Sequence, residues 1–349
     1  MYVDNSLYLQ DLDCVLKMDL SFLQGKNFFI TGASGLVGSF LLDVLVRFNQ
    51  NTDQKINIYA TFSSEQSLAK RFPDNEYNKN FNSIICDITK PINLGIIPDF
   101  IVHSASLTHP KMYAECPVEV MKINMMGTIN VLDWAKTNSD CRVLFLSTME
   151  VYGENASPTG MFSEDDVGTF NFMSLRSCYP ESKRVCETLT RCYAKEYNMH
   201  VMTARLGYIY GPTVQLDSSK ADVQFLNNAL KKENIVMKST GTQRRSYCYV
   251  GDVVSGLLTI LANGVSGEAY NVASKEGNVC LKDFAETIAE LADVKVIFDC
   301  PTEFEKQGYS TVQNSTLNPA KLEALGWQSK IALRDGIEHT LNIKRNLKC

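Results

Sequence analysis

Histidine is scarce in this chain, with four among 349 residues, and tryptophan is rarer still at two. None of the eleven cysteines stands in a C-x-x-C pair, and none clusters with the histidines. That pattern argues against a metal site and reads as scattered, reduced thiols. No apolar run reaches the roughly 18 residues that cross a bilayer. The first twenty residues carry Asp4, Asp11, Asp13 and Asp19 and no basic start. They read as a leading helix within residues 1–24, not as a secretory signal. Positive charge is also short, since the formal net charge is −5. That argues against a nucleic-acid partner held by bulk charge. The expectation is a cytoplasmic chain with no metal, no nucleic-acid partner and no membrane partner.

What the chain does have is alternation. Short apolar runs at Asn27–Ile30, Ile56–Thr61, Ser83–Cys86, Phe100–His103, Arg142–Ser147 and His200–Leu206 alternate with longer helical patterns. Two of those helices are predicted over Pro117–Thr137 and Tyr179–Tyr197. Such alternation predicts an α/β fold with a parallel sheet. The pattern fades after Gly211-Pro212, and Tyr247–Asn263 and Tyr270–Ala273 read as returns to the main sheet.

Two runs carry chemistry. Thr31-Gly32-Ala33-Ser34-Gly35-Leu36-Val37-Gly38 follows the first apolar run and opens a helix. Gly32 suits a tight turn, Gly35 lets backbone approach a pyrophosphate, and Gly38 allows close helix–strand packing. The helix N-terminus offers free N–H groups to phosphate. The second run is Tyr179-Pro180-Glu181-Ser182-Lys183. A spacing of four puts the phenol and the ammonium on one helical face. A nearby cation favours the phenolate and makes the tyrosine a usable acid/base. The chain therefore divides into a Rossmann-type, doubly wound NAD(P)-binding domain at 25–212 and 246–274. A smaller, discontinuous C-terminal substrate lobe takes 213–245 and 275–349.

With these residues in place, the chain resembles the extended short-chain dehydrogenase/reductases that act on nucleotide-linked sugars, from about Lys26 to Trp327. The resemblance implies cofactor contacts from Gly32, Ser34, Gly35, Leu36 and Gly38. It adds Asp87 and Ile88 beside adenine, and Ser104 and Ala105 along the ribose and phosphates. Thr148, in Ser147-Thr148-Met149-Glu150-Val151-Tyr152-Gly153, would hold the reacting oxygen. Tyr179 would move its proton, and Lys183 would assist the tyrosine and the nicotinamide ribose. Arg245 would grip the substrate diphosphate. Tyr208 stands in the substrate segment where many members have asparagine. The stretch Tyr309 to Asn318 lacks an arginine that many members place near the nucleotide. His103 reads as structural.

Glu150 is an extra carboxylate in the catalytic set. Family dehydratases pair it with an aspartate where this chain has Met149, so 4,6-dehydration is not expected. Family glucuronate decarboxylases keep the glutamate alone and resemble the pattern Y-x-E-x-K-R-x-x-E from Tyr179 to Glu187. The second strand ends without the acid that usually binds the ribose 2′-hydroxyl. Ser63 and Ser64, with Lys70 or Arg71, could instead accept a 2′-phosphate. That favours NADPH over NAD. The leading expectation is NADPH-dependent reduction of a CDP-linked ketose to a CDP-polyol for surface polysaccharide. The alternatives are a redox-neutral UDP-glucuronate decarboxylase or 4-epimerase holding NAD, and a non-catalytic dinucleotide-binding sensor or scaffold. The helices Pro117–Thr137 and Tyr179–Tyr197 correspond to those that pair across a two-fold axis in many relatives, so a homodimer is expected.

Overall fold

A computed structural model describes residues 2–153, 160–299 and 313–347. The six apolar runs form strands β1 (Asn27–Thr31), β2 (Asn57–Phe62), β3 (Asn82–Ile85), β4 (Phe100–His103), β5 (Arg142–Thr148) and β6 (His200–Leu206). Further strands follow at β7 (Tyr208–Tyr210), β8 (Ile235–Met237), β9 (Arg244–Tyr249) and β10 (Ala269–Val272). The last three are β11 (Asn278–Cys280), β12 (Val296–Phe298) and β13 (Asn314–Ser315).

A seven-stranded sheet runs in the order β10-β6-β5-β4-β1-β2-β3, and every pairing in it is parallel. Parallel neighbours need long crossovers, and helices supply them on both faces. Strand alternation sorts the side chains. Phe28 and Ile30 face the helices Leu36–Gln50 and Val250–Asn263. Phe29, Ile101 and Val143 face Pro117–Ala135 and Cys178–Glu196. This is a doubly wound, Rossmann-type sheet. The strand order reverses between β1 and β4, which is where such sheets bind ligands beyond their carboxyl ends.

The second layer departs from the sequence expectation. β9 lies in a small sheet ordered β11-β9-β13, with β7 paired to β9. Tyr247–Tyr249 therefore does not return to the main sheet, and Tyr208–Tyr210 leaves it. Only the helix Val250–Asn263 and β10 return. The cause is aromatic packing: Tyr247 stacks on Phe284 at 4.0 Å, and Tyr210 meets Tyr247, Tyr249 and Phe284. Gly207 permits the crossing, because a Cβ there would stand 2.6 Å from the Ser246 carbonyl oxygen.

The leading segment forms the helix Ser6–Val15, capped by Asn5, whose side chain accepts from Leu7 and Tyr8 N–H. Tyr8 and Leu12 are buried in the main core. Among the described residues, no helix is long and apolar enough to cross a membrane.

Candidate active site

A cleft of about 650 Å³ opens between the carboxyl ends of the main sheet and the small sheet. Its floor is the glycine loop. Gly32 has φ of +71°, and a Cβ there would lie 2.8 Å from the Ala105 backbone. A Cβ on Gly38 would lie 2.5 Å from the Gly32 carbonyl oxygen. The loop after β1 thus touches the loop after β4 with no room for side chains. The helix that follows has Gly35 at its N-cap and no side-chain cap, so its first N–H groups stay available to a ligand. A close backbone cradle at a helix N-terminus fits a dinucleotide pyrophosphate.

Of the expected cofactor residues, Gly32, Gly35, Leu36, Gly38, Ser104 and Lys183 line the cleft. Ser34 and Ala105 do not line it. The Ser34 carbonyl accepts from Gln215 at 3.2 Å, and the Leu36 carbonyl from Thr213 at 2.8 Å, so the segment after Pro212 is seated on the glycine loop. Ala105 N–H donates to Thr31 Oγ1 at 3.2 Å. Ile88 is buried in the core. Asp87 is exposed and takes both the N–H and the hydroxyl of Thr89, which makes it the cap of the turn after β3. It does not line the cleft.

The group expected around a 2′-phosphate does not assemble. Arg71 turns inward, and its guanidinium lies 2.5 Å from the fully buried Asp43 carboxylate. Tyr8 and Tyr77 donate to the same carboxylate, each at 2.6 Å. A buried carboxylate requires a cation and a full set of donors, and Arg71 completes that set. Arg71 is therefore corrected from phosphate ligand to structural counter-ion. Lys70 pairs with Asp217 at 2.8 Å on the surface. Ser64 caps the helix Glu65–Arg71, accepting from Ser67 N–H at 3.1 Å, while Ser63 is exposed.

The reacting end of the cleft gathers Thr148, Glu150, Tyr179 and Lys183. Thr148 ends β5 at a neighbour of the switch point, which points its side chain into the cleft. Tyr179 is buried and stacked on Tyr113 at 4.8 Å, and Thr148 lines the cleft with it. Burial pushes its phenol up, and Glu150 adds to that, while Thr148 and Arg176 pull it down. Lys183 donates to the Leu146 carbonyl at 2.8 Å and lies 4.7 Å from the Phe145 ring. Burial pushes its ammonium down to about 8. Sequence reasoning gave Lys183 the task of lowering the tyrosine. Here its ammonium is held by a carbonyl, and Arg176 is a cation that acts on the phenol.

Arg176 carried no sequence signal. It sits at the centre of a short turn, Leu175–Ser177, and its Nη1 lies 2.9 Å from Glu150. Tyr113 was missed as well, because nothing local marks a ring that stacks across helices. Glu187, the last residue of the quoted pattern, leaves the cleft. It holds Arg205 through two oxygens, at 2.7 and 3.1 Å, and receives the Ser147 hydroxyl at 2.5 Å. His103 is buried between Thr31 and Thr128, and burial pushes it down to about 3. It is a core histidine.

At the far end, Tyr208 and Arg245 both line the cleft. The Arg245 guanidinium sits 5.4 Å from the Tyr208 ring and donates to Ser315 at 3.2 Å. Gln243 also lines this end, and its Oε1 is buried without a protein partner. Asp222 joins it, its carboxyl pushed up by burial. Of the stretch from Tyr309 to Asn318, positions 309–312 lie outside the described residues.

Comparisons with known proteins agree with this arrangement. Residues 28–273 match the model of the NAD dependent epimerase/dehydratase family. UDP-glucuronic acid decarboxylase 6 of Arabidopsis thaliana is 32% identical over 320 residues, covering 90% of this chain and 88% of that relative. UDP-glucuronic acid decarboxylase 1 of Danio rerio is 31% identical over 318 residues, covering 90% and 72%. Among solved structures, UDP-glucose 4-epimerase of Thermotoga maritima superimposes with a TM-score of 0.76 at 21% identity, covering 91% of this chain and 98% of that one. UDP-glucuronic acid 4-epimerase of Bacillus cereus, in complex with UDP-glucuronic acid and NAD, gives 0.76 at 21% identity, covering 92% and 100%. With a glycine cradle at the sheet's switch point, a tyrosine–lysine helix beside it and this run of relatives, the chain belongs to the NAD dependent epimerase/dehydratase family.

Proposed function

We propose that this protein decarboxylates a nucleotide-linked hexuronic acid with no net change in its dinucleotide. Glu150 carries the reading. It is a carboxylate on the cleft wall, with Arg176 as its partner, and neither simple reduction nor 4-epimerisation requires it. The similarity to UDP-glucuronic acid decarboxylases supports the choice. Met149 lines the cleft where a dehydratase would need an acid, and a thioether cannot protonate a departing hydroxyl.

The glycine loop and Lys183 would hold the dinucleotide, whose nicotinamide supplies a reversible hydride acceptor. Tyr179 takes the proton of the sugar hydroxyl that becomes the ketone, and Thr148 holds that oxygen. The ketone lies one carbon from the carbon bearing the carboxylate, so it accepts the electron pair as CO2 leaves. Glu150 would orient a water that protonates the carbon left behind, and Tyr179 would return its proton to the ketone oxygen as the hydride is given back to the ketone carbon, so the dinucleotide ends unchanged. Arg245 grips the diphosphate with a planar fork. NAD suits this cycle, and Asp43 and Asp217 neutralise the two cations that follow β2. Exposed apolar side chains, Val118 and Met126 on one helix and Val185 on its neighbour, suit a two-fold homodimer.

A second reading is net reduction of a CDP-linked ketose by NADPH. One observation favours it: β2 is followed directly by Ser63-Ser64, with no carboxylate for a ribose 2′-hydroxyl. The test is to incubate purified protein with NAD and UDP-glucuronic acid, and separately with NADPH and a CDP-linked ketose. Release of CO2 with unchanged nicotinamide absorbance supports decarboxylation. Stoichiometric loss of reduced nicotinamide absorbance overturns it in favour of reduction. Glu150→Gln gives a second separation. Decarboxylation expects its main effect in kcat, and reduction expects it in KM.

A further inference from the structure

We propose that Arg176 is a positioning residue, whose ion pair with Glu150 lets that carboxylate and an ionised Tyr179 phenol share one cleft. The inference rests on Tyr179 acting as the acid/base, and not on which sugar is turned over.

The difficulty it resolves is electrostatic. Tyr179 is buried at 6% exposure, and Glu150 lies on the same wall. Two anions in one cleft oppose each other, so a carboxylate beside the tyrosine disfavours the phenolate. Decarboxylation nevertheless calls for both. The Arg176 guanidinium answers this from a third element. Its Nη1 lies 2.9 Å from Glu150 Oε2, and the turn that carries it packs against the helices of Tyr113 and Tyr179.

The other groups around the phenol leave this task to Arg176. Thr148, on β5, carries no charge. Tyr113, on the helix Pro110–Glu115, and Tyr208, on β7, are both pushed up by burial and stay neutral. Cys178, on the tyrosine's own helix, is pushed up by burial as well. Lys183 on that helix directs its ammonium to the Leu146 carbonyl. The charges facing the phenol are thus Glu150, Arg176 and Lys183. Arg176 is the one that touches Glu150, and it pulls the phenol down.

The sign follows from the charge. Removing the cation raises the Tyr179 pKa, so the limb of activity that needs the phenolate moves to higher pH. Arg176→Gln should shift that limb upward by about one pH unit, the low end for a nearby charge because the pair is partly exposed. Turnover at neutral pH should fall about tenfold and recover in alkali. Arg176→Lys keeps the charge and should shift the limb much less. In Glu150→Gln/Arg176→Gln the limb should move back toward the wild type, since the anion that required compensation is gone.

The direct measurement is an ultraviolet difference titration of the tyrosine phenol in dinucleotide-loaded enzyme, with Tyr179→Phe as the blank. It needs no substrate. If no uronate is turned over, the decarboxylase reading fails and the titration still decides the role of Arg176. An upward shift in Arg176→Gln that Glu150→Gln reverses supports the proposal. An unchanged titration overturns it, as does an equal shift in the double variant or a uniform loss of activity at every pH.

Discussion

Asp43–Arg71 and Glu150–Arg176 are both arginine–carboxylate pairs, at 2.5 and 2.9 Å. Their surroundings differ. The Asp43 side chain is fully buried and Arg71 is 8% exposed, whereas Glu150 and Arg176 are 27% and 44% exposed on a cleft wall. Asp43 has two tyrosine hydroxyls besides its arginine, and Tyr2 covers the guanidinium at 4.3 Å. The Asp43 side chain keeps no exposed surface. Glu150 keeps the open cleft beside it. What separates a structural pair from a working one is what fills the remaining hydrogen-bonding sites. Protein fills them around Asp43, and around Glu150 they open onto the cleft.

The largest effect should come from the working end. Tyr179→Phe should lower turnover by about 10²–10⁴-fold, the usual contribution of a positioned acid/base, with dinucleotide affinity nearly unchanged. Steady-state kinetics and cofactor titration on one preparation check this, and retention of half the wild-type rate would remove Tyr179 from the mechanism.

Asp43→Asn should act in the opposite way. Leaving Arg71 as an uncompensated buried charge should cost about 3–5 kcal/mol of stability, read from the urea midpoint. Turnover per folded molecule should stay near wild type. A stable variant with altered cofactor affinity would return Arg71 to the dinucleotide site.

Arg176→Gln sharpens the contrast from the other side. Its pair is partly exposed, so melting should report a loss under about 1 kcal/mol, while the pH profile shifts as argued above. A stability loss as large as that of Asp43→Asn would erase the distinction between the two pairs.

The smallest effect concerns the dinucleotide. Wild-type protein should bind NADH more tightly than NADPH. Asp217→Ala, which frees the Lys70 ammonium, should narrow that ratio by a few-fold, about 1 kcal/mol at an exposed pair. Fluorescence titration of both reduced dinucleotides measures it, and an unchanged ratio would place Lys70 away from the 2′-position.

Much of this was legible in the linear order of residues. The strand β4 falls at Phe100–His103, and β6 at His200–Leu206, as the apolar runs indicated, because burial on both faces of a parallel sheet writes itself as continuous apolar segments. The glycine loop was legible because its requirement is local: a positive φ at Gly32 and two backbone approaches that a Cβ would block. Tyr179 and Lys183 were legible because a helix fixes their spacing. The destination of a long charged side chain was not legible. Arg71 reads as available beside Ser63 and Ser64, and only the fold shows Asp43 reaching it from the preceding helix, 28 positions away. Arg176 reads as one charge in a polar loop, and only the fold brings it to Glu150. Propensity, periodicity and glycine geometry act over a few residues, so the sequence by itself determined the sheet, the cradle and the tyrosine–lysine helix. Ion pairing depends on which distant carboxylate meets each guanidinium after folding, and the tertiary structure alone decided that one arginine would hold the core and the other face the cleft.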